Sequence, residues 1–130
     1  MNIVLDTNIL ISAAYSLGRN ASDILSAAFM GKFRVCYDYR ILEEYYRVFY
    51  YPKFIFTKQE INAVLDPLIK NGISVIADSI KDVSFENDES DRKFYEVAKY
   101  TNAILITGNL KHYPKDKDIM NASEFCDKYL

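Results

Sequence analysis

The sequence is poor in the residues that build zinc and disulfide sites. Its 130 residues include one histidine, His112, and two cysteines, Cys36 and Cys126. A zinc site made of histidine and cysteine side chains is therefore not expected. Two cysteines without a pairing pattern are typical of reduced thiols, so we expect no disulfide and a cytoplasmic protein.

Long apolar runs and a strong net charge are missing as well. No hydrophobic stretch approaches the length of a membrane span and no basic-apolar leader is visible, so we expect no membrane partner. A formal net charge of -2 gives no broad attraction to nucleic acid, and any such binding must use a local basic patch. The composition, half hydrophobic and 26% charged, is that of a globular protein. The length predicts one domain, residues 1–130.

Strand-like and helix-like patterns alternate along the chain. Strands are predicted at 3–5, 33–37, 73–77, 103–107 and 118–120, and helices at 9–15, 21–29, 40–51, 57–70, 90–100 and 122–129. Thr57 and Glu60 form a capping box, whereas Pro67 should kink or end the same helix. The polar segment 81–89 is predicted as a surface loop. The alternation predicts an α/β fold, a parallel sheet with helices on both faces.

Acidic residues stand where predicted strands end and helices begin. Asp6 follows the first strand, Glu43 and Glu44 begin the helix after the second, and Asp88 and Asp91 lead into the helix after the third. In a parallel α/β sheet these places converge at the carboxyl edge. Each also has a simpler interpretation, as a helix cap or as a favourable charge near a helix N-terminus.

A fourth place of this kind is Thr107-Gly108-Asn109, which ends the fourth strand and could be only a turn. Four separate simple interpretations explain the convergence less well than one shared site does. Clustered carboxylates repel each other, and a hard divalent cation with oxygen ligands relieves that repulsion. The pattern therefore predicts a site for Mg²⁺ or Mn²⁺.

Several motifs, taken together and in order, resemble those of a known family. They are Asp6-Thr7-Asn8, Glu44-Tyr45, Asp91 with Phe94 and Ala98, the run 104–109, and Lys111-His112-Tyr113-Pro114. The set is similar to the PIN-domain family, and in particular to the VapC-like toxins of prokaryotic toxin–antitoxin modules. The resemblance implies a three-layer α/β/α fold with a central, mostly parallel sheet of about five strands.

The resemblance also implies an activity, partners and site residues. The activity is that of a Mg²⁺- or Mn²⁺-dependent endoribonuclease that cleaves single-stranded RNA, and the partners are a cognate antitoxin and a second copy in a homodimer. Asp6, Glu44 and Asp91 would be the catalytic acids that hold the metal, with Asn8 and Asn109 beside them. Glu43 competes with Glu44, and Asp88 is a weaker candidate. Residues that flank the acids are predicted to contact the substrate: Thr7, Arg47, Lys53, Arg92, Lys111 and His112.

Two alternatives to this function stay open. Many PIN domains carry an acid where this chain has Asn109, which favours a catalytically weakened PIN-like RNA-binding module. A PIN nuclease that acts on another nucleic acid is equally compatible with the sequence. A phosphatase of the haloacid dehalogenase type fits poorly, because it needs a second aspartate where this chain has Asn8.

Overall fold

The computed structural model describes residues 1–15, 19–85 and 88–130, and in them the chain forms five strands and six α-helices. The strands are β1 (Asn2–Leu5), β2 (Arg34–Tyr37), β3 (Ile73–Ser74), β4 (Ile104–Ile106) and β5 (Ile119–Met120). The helices are α1 (Thr7–Tyr15), α2 (Arg19–Phe29), α3 (Tyr39–Phe49), α4 (Lys58–Asn71), α5 (Arg92–Thr101) and α6 (Ala122–Tyr129). Two short 3₁₀ helices cover Glu89–Asp91 and Leu110–His112.

The five strands form one sheet in the order β3-β2-β1-β4-β5, and every neighbouring pair is parallel. Parallel neighbours need crossover connections, which the helices supply. The predicted three-layer α/β/α fold is confirmed, and its sheet is parallel throughout. The two strands that lie far apart in sequence, β1 and β4, are neighbours at the centre, with Val4 opposite Leu105.

The central strands are apolar because both of their faces are covered. Ile3, Val4 and Leu5 of β1 are each at most 1% exposed. The side chain of Tyr45, fully buried on α3, donates a hydrogen bond to the carbonyl oxygen of Leu5. This bond fixes α3 against the last residue of β1, immediately before Asp6.

Local sequence signals explain where several elements begin and end. The predicted capping box is present, with the Thr57 hydroxyl accepting from the Glu60 amide and the Glu60 carboxylate accepting from the Thr57 amide. Gly31 follows α2 with a φ of 86°, a left-handed conformation that favours glycine. Gly72 follows α4, and there a Cβ would lie 2.6 Å from the carbonyl oxygen of Val35.

One prediction about element positions is wrong, and one of the two alternatives for Pro67 is excluded. Helix α4 continues through Pro67 to Asn71, so the proline does not end it. Glu43 and Glu44 do not begin their helix, because α3 starts at Tyr39 with Asp38 as its N-cap. A helix dipole acts mainly on the first turn, so it does not explain these two acids. The segment 81–89 is partly a loop and ends in the first 3₁₀ helix, and its residues 86–87 lie outside the described part.

The remaining expectations concern thiols and membranes. Cys36 is buried and Cys126 is half-buried, and both are free thiols, as predicted. None of the helices within the described ranges is long and apolar enough to cross a bilayer.

Candidate active site

Asp6 stands at the carboxyl end of β1, in the middle of the sheet. Its side chain is buried, at 5% exposure. The Thr107 hydroxyl donates a hydrogen bond of 2.7 Å to Asp6 Oδ2, and the Tyr113 hydroxyl lies 3.3 Å from the same oxygen. Burial raises the pKa of Asp6, the Thr107 hydrogen bond lowers it, and the nearby Glu44 carboxylate raises it again. The carboxylate is therefore held by hydroxyl groups rather than by a cation.

Asp91 ends the first 3₁₀ helix and is brought to the same edge of the sheet by α5. Nδ1 of His112 lies 3.0 Å from Asp91 Oδ2. Burial raises the pKa of Asp91 to about 6, and the charge of Asp6 adds to that rise, while His112 partly opposes it. A carboxylate whose pKa is raised by burial and by a second carboxylate lacks sufficient positive charge around it.

Glu44 projects from the middle of α3 and has partners for both of its oxygens. Thr7 donates a hydrogen bond from its hydroxyl to Oε2. The ammonium group of Lys93, on α5, lies 2.7 Å from Oε1. Arg47 is more distant, at 3.9 Å. Among Asp6, Glu44 and Asp91, Glu44 is thus the acid whose negative charge is balanced by a nearby lysine.

The three predicted acids influence each other electrostatically but do not form a ready-made three-ligand cage. Glu44 raises the pKa of Asp6, and Asp6 raises the pKa of Asp91. Within residues 1–15, 19–85 and 88–130, however, no three His, Cys, Asp or Glu side chains are close enough to hold one ion together. The pair with uncompensated charge is Asp6 and Asp91.

The two predicted asparagines occupy different positions. Asn8 is exposed in the first turn of α1. Asn109 is half-buried, and its backbone N–H donates a 3.0 Å hydrogen bond to the Thr107 hydroxyl, the same group that donates to Asp6. Asn109 is therefore linked to the acid through one intervening side chain.

The two weaker acidic candidates have other partners. The Asp88 side chain accepts hydrogen bonds from the amide and hydroxyl of Ser90, at 2.9 and 2.6 Å, so it caps the 3₁₀ helix. Glu43 is exposed and pairs with Arg47 at 3.1 Å.

The predicted substrate contacts divide into two groups. Thr7 and His112 touch the acids directly, and Arg47 lies beside Glu43 and Glu44. The others point elsewhere. The ammonium of Lys53 lies 5.1 Å from the centre of the Phe54 ring, the guanidinium of Arg92 binds Glu89 and the Ile80 carbonyl, and Lys111 is exposed in the second 3₁₀ helix.

Two groups at the site were missed as functional candidates in the sequence. Thr107 directly follows β4, and Tyr113 lies within the motif 111–114, yet neither was identified as a partner of Asp6. The available signal was a polar residue directly after a buried strand, the same signal that identifies Asp6. The aromatic ring of Tyr113 is mostly buried, and this burial raises the pKa of its hydroxyl, which thus remains a hydrogen-bond donor.

A second network of buried charges was also missed. Asp38 follows β2 and caps α3, and the Arg40 guanidinium lies 2.7 Å from both Asp38 and Glu96. Glu96 also accepts a 2.7 Å hydrogen bond from the Ile80 amide. Both carboxylates are 2% exposed. This network joins β2, α3, α5 and the segment after β3.

The chain belongs to the PIN-domain family, because the model of the PIN domain matches residues 2–111. This is a family of nucleases, hydrolases that act on nucleic acids, and the predicted membership is confirmed. A chain of VapBC2 from Rickettsia felis, in a crystal structure described as bound to a DNA fragment from their promoter, has a similar fold. The TM-score is 0.57 and the identity 18%, over 85% of this chain and 90% of that chain. A search of curated proteins finds no match.

Proposed function

We propose that residues 1–130 form one domain that works as a metal-dependent endoribonuclease on single-stranded RNA and as the toxin of a type II toxin–antitoxin module. The observation that carries the proposal is the pair Asp6 and Asp91, two buried carboxylates at the carboxyl edge of a parallel sheet, where the charge of Asp6 helps to raise the pKa of Asp91. Ligands in such sheets bind at this edge.

The donor set fits Mg²⁺ or Mn²⁺. The ligands that Asp6 and Asp91 offer are oxygen atoms, which hard cations prefer, and Mg²⁺ characteristically uses one or two carboxylates and keeps several waters. A histidine or thiolate cluster, which would favour zinc, is not found in the described part of the chain. When bound, such an ion would lower the pKa of a water molecule and neutralise charge on the phosphate.

The side chains around the acids orient them. Thr107 and Tyr113 both donate to Oδ2 of Asp6. His112 holds Asp91, and Thr7 holds Glu44. Preorganised donors of this kind cost no reorganisation during the reaction. We assign Asn8 and Asn109 to positioning the water and the scissile phosphate, whose hydrolysis leaves a 5′-phosphate and a 3′-hydroxyl.

Single-stranded RNA fits the open edge of the sheet. Its unstacked bases can spread over a shallow surface, which a double helix cannot do. Because the net charge is -2, phosphate binding must come from side chains near the acids. We assign contacts beside the scissile phosphate to Thr7, Arg47 and His112, and contacts to the RNA farther from the acids to Lys53, Arg92 and Lys111.

Partners and location complete the proposal. The structural neighbour is a VapBC2 assembly by its description, which supports an antitoxin protein as the partner of this chain. We further propose a homodimer in the cytoplasm.

Cleavage of a labelled single-stranded RNA tests the proposal. We expect cleavage with Mg²⁺ or Mn²⁺, its loss in excess EDTA and its recovery when Mn²⁺ is added back. An equimolar mixture with the product of the adjacent gene should block it. Cleavage that persists in EDTA contradicts the metal mechanism, and cleavage of double-stranded DNA in preference to RNA contradicts the substrate.

A catalytically weakened RNA-binding module is the second candidate. It is favoured by the absence, among described side chains, of a three-ligand group and by Asn109 in place of an acid. RNA binding without cleavage at any Mn²⁺ concentration would identify this second function.

A further inference from the structure

Lys93 lies inside the acidic centre, although neither the family match nor the sequence motifs give it a role there. Its ammonium group is 2.7 Å from Glu44 Oε1, and the two side chains are only 11% and 13% exposed. The same ammonium donates to the carbonyl oxygen of Ser90, next to Asp91. A shielded ion pair with this geometry is screened far less than a surface pair.

The pairing removes Glu44 from the set of free carboxylates. Oε1 faces Lys93 and Oε2 accepts from Thr7, so an incoming cation would have to displace an ammonium group or a hydroxyl to use either oxygen. Among the described side chains, no lysine or arginine pairs with Asp6 or Asp91: Asp6 is held by two hydroxyls, and Asp91 by the His112 ring. The described side chains accordingly contain no three-ligand group.

We propose that Lys93 serves as a built-in second cation of the site, so that the protein binds one divalent ion between Asp6 and Asp91 and Glu44 is a positioning residue outside the metal's coordination sphere. The inference rests on the proposed nuclease function and deepens it. Opposite charges this close attract each other strongly where little water lies between them. Lys93 therefore both neutralises Glu44 and repels a second divalent ion from its neighbourhood.

A matched control exists on the same helix. Lys99 is also on α5, also pairs with a carboxylate, that of Asp116, and also lies against an aromatic ring, 5.4 Å from the centre of Tyr95. Lys93 lies 5.2 Å from the centre of the Phe94 ring. Lys99→Met removes the same kind of contacts outside the acidic centre.

The experiment is a calorimetric titration of the RNA-free protein with Mn²⁺. We expect wild type and Lys99→Met to bind one ion with the same affinity. In Lys93→Met, Glu44 is released, so we expect either a second bound ion or about tenfold tighter binding of the first, since a nearby positive charge has been removed. Lys93→Arg keeps the charge and should behave as wild type.

A double variant keeps the test decisive if Lys93→Met alone is unstable. In the Glu44→Gln background the lysine has no carboxylate to mask, so Lys93→Met should add no second ion. Two ions in the wild type, or unchanged stoichiometry and affinity in a folded Lys93→Met, overturn the inference and leave the nuclease proposal intact. No Mn²⁺ binding by the wild type at all overturns both.

Discussion

Two buried aspartates follow two neighbouring strands of the same sheet, and their carboxylates have different partners. Asp6 comes directly after β1 and Asp38 directly after β2, each preceded by buried apolar residues. Asp38 accepts hydrogen bonds of 3.0 Å from the amides of Arg40 and Ile41 and binds the Arg40 guanidinium. Asp6 instead accepts from two hydroxyl groups, and in the part of the chain that the structure describes it has no ion pair.

The difference separates an acid that is compensated within the fold from one that is not. A buried carboxylate is costly unless it is paired and hydrogen-bonded. For Asp38 the cost of burial is offset within the fold, because an arginine and two backbone amides bind its carboxylate. For Asp6 it is not offset in this way, so burial raises its pKa, and an external cation is the natural compensation. A buried acid at the end of a strand is thus a candidate for binding an external cation when no cationic side chain of the protein pairs with it.

The largest expected effect concerns activity. Asp6→Asn removes the charge that we propose binds the metal, so we expect RNA cleavage to fall by about 1000-fold, or about 4 kcal/mol of activation free energy. Folding should be kept, because the Asn side chain can still accept from Thr107. Asp38→Asn should retain at least half of the wild-type rate per folded molecule, measured in the same assay. Equal losses in both variants would contradict the division into functional and structural acids.

The next effect concerns stability. Arg40→Met leaves Asp38 and Glu96 buried without their shared cation, and breaking a buried ion pair in this way costs about 3 kcal/mol. Urea unfolding monitored by circular dichroism should show this loss. Arg47→Met, which removes an exposed arginine of the same helix, is the control and should change stability by less than about 1 kcal/mol. A stable Arg40→Met protein would mean that the network is dispensable.

A third effect is a pH dependence of the metal-free protein. The folded-state pKa of Asp91 is about 6 and its ordinary value is 3.8, so the folded state binds the proton more tightly than the unfolded state. The contribution of this group to stability therefore falls as the pH rises from about 4 to above 6. Asp91→Asn should be more stable than wild type by about 2 kcal/mol at pH 7.5.

The difference between these two proteins should shrink towards zero at pH 4, where both side chains are neutral when folded. Unfolding in EDTA across this range measures it. Because all other titrating groups are shared, their effects cancel in the subtraction. A difference that grows on acidification would show that Asp91 is already compensated in the folded protein.

The smallest effect tests the hydroxyl partners of Asp6. Tyr113→Phe removes the longer hydrogen bond, 3.3 Å, and Thr107→Val removes the shorter, 2.7 Å. We expect losses of about 0.5 kcal/mol and about 1.5 kcal/mol in unfolding free energy, respectively, because an ionised acceptor loses a donor in each case. The reverse order would contradict the relative strengths of the two bonds.

Much of the fold could be predicted because the spacing of hydrophobic residues and the helix-capping motifs both depend on residues that are close together in the sequence. The fully apolar stretch 3–5 predicted a covered central strand, and Thr57 with Glu60 predicted the start of a helix. Pro67 was expected to kink or end that helix, and α4 runs on through it to Asn71. The propensity of one residue did not decide the end of a helix whose Leu65 and Leu68 are buried.

The site was predicted less completely, for a physical reason. Sequence shows which residues can carry charge, but whether a charge is compensated depends on partners that are distant in the chain. The Lys93–Glu44 pair and the Arg40–Glu96 pair each join a residue of α3 to a residue of α5, about 50 positions away in the chain. The cap role of Asp88 was among the open interpretations and is confirmed. The role of Asp38 was missed, although it has the same strand-end position as Asp6.

The bond between Thr107 and Asp6 joins residues 101 positions apart. During synthesis, β1 is made well before its neighbour β4 and before the hydroxyl groups that hold Asp6. A nascent chain that still lacks β4 therefore has no assembled acidic centre. The placement of β1 at the heart of the sheet thus delays the assembly of the site until β4 and the residues that follow it have been translated.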